Sequence, residues 1–131
     1  MTNHAKGDFE VKLTPLVSET EPAIGRMSID KQFHGDLEGS SKGEMTSFMS
    51  SVKGSAGYVA MEKVTGTLKG RKGTFVLQHS ATMTRGTPEM SVSVVPDSGT
   101  DQLVGLTGKL KIIIADGKHS YEFNYALPES H

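Results

Sequence analysis

The stretch Leu110-Lys111-Ile112-Ile113-Ile114-Ala115-Asp116-Gly117-Lys118-His119-Ser120-Tyr121-Glu122-Phe123 decides the fold. Asp-Gly between two alternating runs is a strong signal for a two-residue β-hairpin turn. Centring the turn there pairs Ile114 with His119, Ile112 with Tyr121, Leu110 with Phe123 and Gly108 with Tyr125. The reverse face pairs Lys111 with Glu122 and Lys109 with Asn124, so it faces water. One apolar face and one solvated face make the register self-consistent.

Outward from this hairpin, period-2 alternation recurs between Gly, Asp and Pro turns, and helical periodicity is absent almost everywhere. The runs 7–17, 24–34, 37–52, 56–69, 73–84, 89–96, 103–115 and 118–127 read as strands. A four-residue turn, Arg85-Gly86-Thr87-Pro88, sets Met83 opposite Met90, Ala81 opposite Val92 and His79 opposite Val94. A tight turn at Gly70-Arg71 sets Gly66 against Phe75, Val64 against Leu77, Glu62 against His79 and Ala60 against Ala81. Glu62 and His79 are therefore expected on the inward face of adjacent strands, directly opposite or one diagonal apart. Val64-Thr65-Gly66-Thr67-Leu68 also echoes Leu106-Thr107-Gly108-Lys109-Leu110. Each glycine then faces a ring, Phe75 or Tyr125, a way of bending a sheet at a barrel corner. Eight strands with no helix to cover a sheet imply closure, which removes exposed edges. The expectation is an all-β, eight-stranded antiparallel up-and-down β-barrel with at most a single helical turn, in one domain spanning 1–131.

Composition excludes several function classes. Fourteen Lys and Arg against fifteen Asp and Glu give a net charge of −1, which leaves no electrostatic footprint for nucleic acid. The chain has no Cys, which removes disulfide scaffolds and thiol chemistry. No apolar run approaches the roughly 18 residues of a membrane span, so no membrane partner is expected. Met1-Thr2-Asn3-His4-Ala5-Lys6 lacks the apolar stretch of a secretory signal, which points to a cytoplasmic location. Gly39-Ser40-Ser41-Lys42-Gly43 matches G-x-S-x-G, but that motif requires a strand-to-helix turn in a parallel α/β sheet. His4, His34, His79, His119 and His131 are scattered, with no two at metal-ligand spacing within one element. Neither a metal nor a cofactor is expected.

What remains is a set of polar groups at inward positions. Lys31 shares its face with Met27, Ile29 and Phe33, while Arg26, Ser28, Asp30 and Gln32 take the other. Tyr58, Tyr121 and Tyr125 also fall inward, each an apolar ring with a polar tip. Buried ionisable groups are costly unless paired, so Glu62 should pair with His79 or with Lys31. These residues are either a satisfied polar pair in a filled barrel or the polar lining of a mostly apolar pocket. Met27, Met45, Met83 and Met90 map inward too, as core filling or as an adaptable apolar lining.

Four stretches carry a resemblance: Gly25-Arg26-Met27-Ser28-Ile29-Asp30-Lys31-Gln32-Phe33-His34-Gly35-Asp36-Leu37-Glu38-Gly39, Ser55-Ala56-Gly57-Tyr58-Val59-Ala60, Gly73-Thr74-Phe75-Val76-Leu77-Gln78-His79-Ser80 and Asp116-Gly117-Lys118-His119-Ser120-Tyr121-Glu122-Phe123. Over nearly its whole length the chain resembles an uncharacterised bacterial family, domain of unknown function 3224. The resemblance implies a barrel similar to that of allene oxide cyclase. It implies no established activity and carries over no catalytic residues.

Three functional readings follow. The chain is a binding module holding a small apolar or amphipathic ligand with Lys31, Tyr58, Glu62, His79, Tyr121 and Tyr125 in its site. Or it is an acid–base enzyme of the isomerase or cyclase type, with Glu62 as base or orienting group and His79 as the acid–base partner. Or it is a structural protein with a filled barrel, acting through its outer face. Val95 and Ile113, on otherwise polar faces, suggest a homodimer or homotrimer.

Overall fold

The alternating runs fold as strands, each hydrogen-bonded to its sequence neighbours. A computed structural model describes residues 2–17, 21 and 23–128. The strands are β1 (Asn3–Leu16), β2 (Ile24–Gly35), β3 (Leu37–Met49), β4 (Ala56–Leu68), β5 (Arg71–Thr84), β6 (Thr87–Val94), β7 (Thr107–Ala115) and β8 (Lys118–Ala126). All pairs are antiparallel, and β8 returns to β1 to close an eight-stranded barrel. A single 3₁₀ turn, Asp101–Leu103, is the one helical element among the described residues.

The β7–β8 hairpin has the register read from its sequence, from Ile114↔His119 to Gly108↔Tyr125. Asp116 and Gly117 both have positive φ, 53° and 75°. Two other hairpins correct the expected registers. Their turns are two-residue turns at Lys69-Gly70 and Arg85-Gly86, again with positive φ at both positions. Such turns match the twist of the flanking strands, so they prevail over the Gly70-Arg71 turn and the four-residue turn. Each partner is thereby displaced by two residues. Glu62 pairs with Leu77, Val64 with Phe75, and His79 with Ala60 on one side and Val92 on the other. Met83 pairs with Pro88 and Ala81 with Met90. A shift of two preserves the face of every side chain.

Strand boundaries also change, most at the starts of β1 and β7. β1 begins at Asn3 rather than residue 7, because closure gives its first residues a partner in β8, from Asn3↔Tyr125 onward. The expected strand 103–115 begins only at Thr107. Before it, the segment 95–106 runs beside the end of β5 and then folds Leu103 and Leu106, both fully buried, under the barrel. Val95 N donates to Val76 O, Val76 N to Ser98 Oγ, and Thr100 N to Thr74 O. β5 outruns the shorter β6, and this segment covers the edge so exposed. Val95 and Ile113, read as outward-facing, are half-buried.

The two ends of the barrel differ. At the end of the β2–β3 and β4–β5 turns, Phe33, Leu37, Leu68, Phe75 and Phe123 join Leu103 and Leu106 in a filled core. At the other end Leu13, Phe48, Met49, Met83, Met90 and Ile114 remain exposed, Met49 by 82% and Ile114 by 66%. At the filled end the backbones of β3, β4 and β5 crowd together at Gly39, Gly66 and Gly73. Gly66 therefore lies between two glycines rather than beneath Phe75, whereas Gly108 does face Tyr125.

This crowding sets up a contrast between two glycines. A Cβ on Gly39 would lie 2.3 Å from Thr65 O and 2.7 Å from Gly66 Cα, both backbone atoms that cannot give way. Gly70 has open space around it and only its φ of +86° to resist a side chain. Gly70→Ala is expected to cost about 1–2 kcal/mol. Gly39→Ala should cost more, at or above the roughly 1–3 kcal/mol of an overpacked core. Urea denaturation of both variants checks the order, and equal losses would contradict it.

Candidate functional site

The polar cluster lies at one level of the barrel, across four consecutive strands. Lys31 on β2 pairs with Ser41 on β3, and Ser41 is the diagonal neighbour of Glu62 on β4. His79 on β5 is diagonal to Glu62 on the other side. Directly opposite Glu62 stands Gly43, where a Cβ would lie 2.6 Å from Glu62 Cα. The missing side chain leaves room for the Glu62 carboxylate to reach back towards β2.

That carboxylate is 1% exposed and both its oxygens are hydrogen-bonded. Lys31 Nζ donates to Oε1 at 2.9 Å, and His79 Nε2 meets the same oxygen at 2.5 Å. Ser41 Oγ donates to Oε2 at 2.5 Å. Burial pushes the Glu62 carboxyl up, but His79, the Lys31 charge and the Ser41 hydroxyl together outweigh it and hold the group at about 2. Glu62 is therefore ionised at neutral pH and can only accept, so His79 Nε2 carries the proton and donates. Lys31 Nζ also stands 4.9 Å from the centre of the Phe9 ring and 5.8 Å from that of Phe33. The negative ring faces offset part of its lost hydration.

Above the cluster the barrel is hollow. An inner cavity of ≈ 140 Å³ is lined by Phe9, Val11, Ile29, Lys31, Ala60, His79, Ile112 and His119, among others. Towards the open end lies a wider chamber of ≈ 340 Å³, walled by Ser47, Phe48, Met49, Gly57, Ala81 and Met83. Met45, Tyr58 and Met90 line both, so the two spaces adjoin. Glu62 and Ser41 line neither; they sit behind Lys31 and His79.

The expected site residues thus separate into two groups. Lys31, Glu62 and His79 come together, and Tyr58 stands above them with its ring 6.4 Å from that of His79. Burial first, and then the Glu62 charge, raises the Tyr58 phenol above its ordinary value, so it stays protonated at neutral pH. Tyr121 and Tyr125 lie at the filled end, away from the cavity. Tyr121 Oη donates towards His34 O and Leu37 O and accepts from Leu37 N, fastening the β2–β3 turn. Tyr125 stacks on Phe123, with ring centres 5.2 Å apart. Sequence reasoning misses Ser41, which stands there only within the G-x-S-x-G match. Its signal was parity: it shares the inward face with Leu37, Gly39 and Met45. His131 lies outside the described residues; among those described, no group of three His, Asp or Glu is placed to hold a metal ion. No helix among them is long and apolar enough to cross a membrane.

A family model described as a protein of unknown function (DUF3224) matches residues 5–125. The crystal structure of a DUF3224 family protein of unknown function from Shewanella oneidensis MR-1 is similar along the whole chain. It has a TM-score of 0.93 and 46% identity, covering 99% of this chain and 100% of that one. No curated protein matches.

Because Glu62 titrates near 2 in the fold, against 4.5 for an ordinary glutamate, its contacts stabilise the native state fully above pH 4.5. That contribution is lost as pH falls through about 2. Glu62→Gln should be less stable than the wild type at neutral pH. The gap should narrow by about 3 kcal/mol between pH 5 and pH 2 as the wild-type carboxylate protonates. Urea titrations across that range measure it; a gap independent of pH would show that the Glu62 charge is not held by its partners.

Proposed function

The chain belongs to the DUF3224 family, and we propose that it is a binding protein whose open barrel end admits a small apolar or amphipathic molecule. The observation that carries this reading is the chamber that narrows from an apolar mouth to a polar floor. Its volume is in the range of small-molecule sites, and its few polar groups converge at the inner end, as such sites require. The methionines of its wall adapt to varied apolar shapes.

The geometry favours binding over acid–base chemistry by Glu62. A carboxylate held by three donors near 2 is a weak base, and it does not face the cavity. Its part is to orient Lys31 and His79.

The neutral fluorophore N-phenyl-1-naphthylamine tests the reading directly. Its emission should rise on adding the protein, and the melting temperature should climb with probe concentration by mass action. Ala81→Phe, which places a ring in the outer chamber, should reduce binding while leaving the β-sheet circular dichroism unchanged. Probe binding unaffected by Ala81→Phe would place the site elsewhere.

A homodimer or homotrimer is a second reading, favoured by the exposed apolar rim of Phe48, Met49, Val52 and Ile114. Sedimentation equilibrium should then give a mass above 14.0 kDa that rises with concentration. A single species of 14.0 kDa at high concentration ends it.

A further inference from the structure

The floor of the cavity is chemically one-sided. The only carboxylate in the cluster, Glu62, is sealed behind the two basic residues, and both its oxygens are already bonded. The basic residues line the cavity itself. Lys31 spends one of its three N–H groups on Glu62 and meets no other polar partner among the described residues. His79 uses Nε2 on Glu62, and its Nδ1 has no hydrogen-bond partner among the described residues, where no polar side-chain atom is left sealed and unpaired. Among the described residues, no acidic side chain lines either the inner cavity or the outer chamber. A molecule entering head-first thus meets the Lys31 ammonium, the imidazoles of His79 and His119 and, among the described residues, no negative group.

We infer that the occupant carries a single anionic head group, a carboxylate on a compact apolar body, seated on Lys31 Nζ beside the His79 ring, with its body against Ile29, Met45, Tyr58 and Met90. The inference rests on the binding reading above and adds the sign of the head group to it. Glu62 acts here as a positioning residue: it holds Lys31 Nζ and His79 Nε2 on one oxygen and so aims the remaining N–H groups of Lys31 at the cavity. A cationic head would be repelled by Lys31, and a neutral hydroxyl would make the same contact without the charge. Charge-assisted hydrogen bonds are roughly twice as strong as neutral ones, so the head group should decide affinity among ligands of equal body.

A matched series separates this inference from the reading beneath it. Octanoate, 1-octanol and octyltrimethylammonium share one alkyl body and differ in head-group charge. Calorimetric titration of the wild type should rank octanoate first, about tenfold or more tighter than 1-octanol, with octyltrimethylammonium weakest. Lys31→Met combined with Glu62→Gln removes both members of the ion pair and leaves neither charge buried alone. This double variant should bind octanoate no better than 1-octanol, losing far more of its affinity for the carboxylate than for the alcohol. Lys31→Arg, which keeps the charge, should retain the preference. If 1-octanol or the ammonium binds the wild type as tightly as octanoate, the head-group inference is overturned and the binding reading stands. If none of the three binds, the binding reading itself falls. Should the double variant fail to fold, the wild-type ranking decides the matter alone.

Discussion

A carboxylate taken almost completely out of water must be answered by donors, and Glu62 draws its donors from three different strands. Lys31, Ser41 and His79 reach it from β2, β3 and β5. A one-residue slip of any of these strands would turn its contributor to the outer surface. A two-residue slip would carry it roughly 7 Å along the barrel, beyond hydrogen-bond reach. The cluster therefore holds half of the barrel in a single register. Its net worth in stability is limited, because desolvating two charges offsets much of their attraction; removing one partner alone is the costly change. Gly43 belongs to the same constraint, since only a bare backbone opposite Glu62 lets the side chain cross β3.

The cluster also divides the barrel along its axis. Below it, aromatic and leucine side chains and the folded-in segment with Leu103 and Leu106 fill the interior. Above it, Ala56, Gly57, Ala60 and Ala81 replace those large residues on β4 and β5, and space opens. An eight-stranded barrel is wide enough either to be filled by side chains or to enclose a cavity. Here one end is filled and the other is hollow. The polar layer between them serves as the roof of the core and as the floor of the cavity.

Much of this was legible from alternation and turns. The Asp116-Gly117 hairpin has the register its sequence implies, and Lys31, Glu62 and His79 are inward as parity requires. The registers around Lys69-Gly70 and Arg85-Gly86 were misread by two residues because the polar–apolar pattern repeats every two and cannot distinguish them. Ser41 was missed because a serine among glycines and polar residues carries no apolar signal. It becomes visible as a partner only once β3 is aligned with Lys31 on one side and Val64 on the other. Tyr121 and Tyr125 share the inward parity of the site residues, yet they belong to the filled end.

The sequence by itself determined which face each side chain takes, because a strand has a period of two and its turns mark where that period restarts. All-β architecture and the inward place of Lys31, Glu62 and His79 follow from that period alone. The tertiary structure decided how far along the barrel each inward residue lies. Depth depends on the stagger accumulated around eight strands and on closure of β8 against β1, neither of which leaves a mark on local alternation. Depth is what separates Tyr121, anchored in the core, from Tyr58, on the wall of the cavity. It also keeps Glu62 off the cavity wall while Lys31 and His79 line it, since a carboxylate is screened or exposed by what closes over it in space.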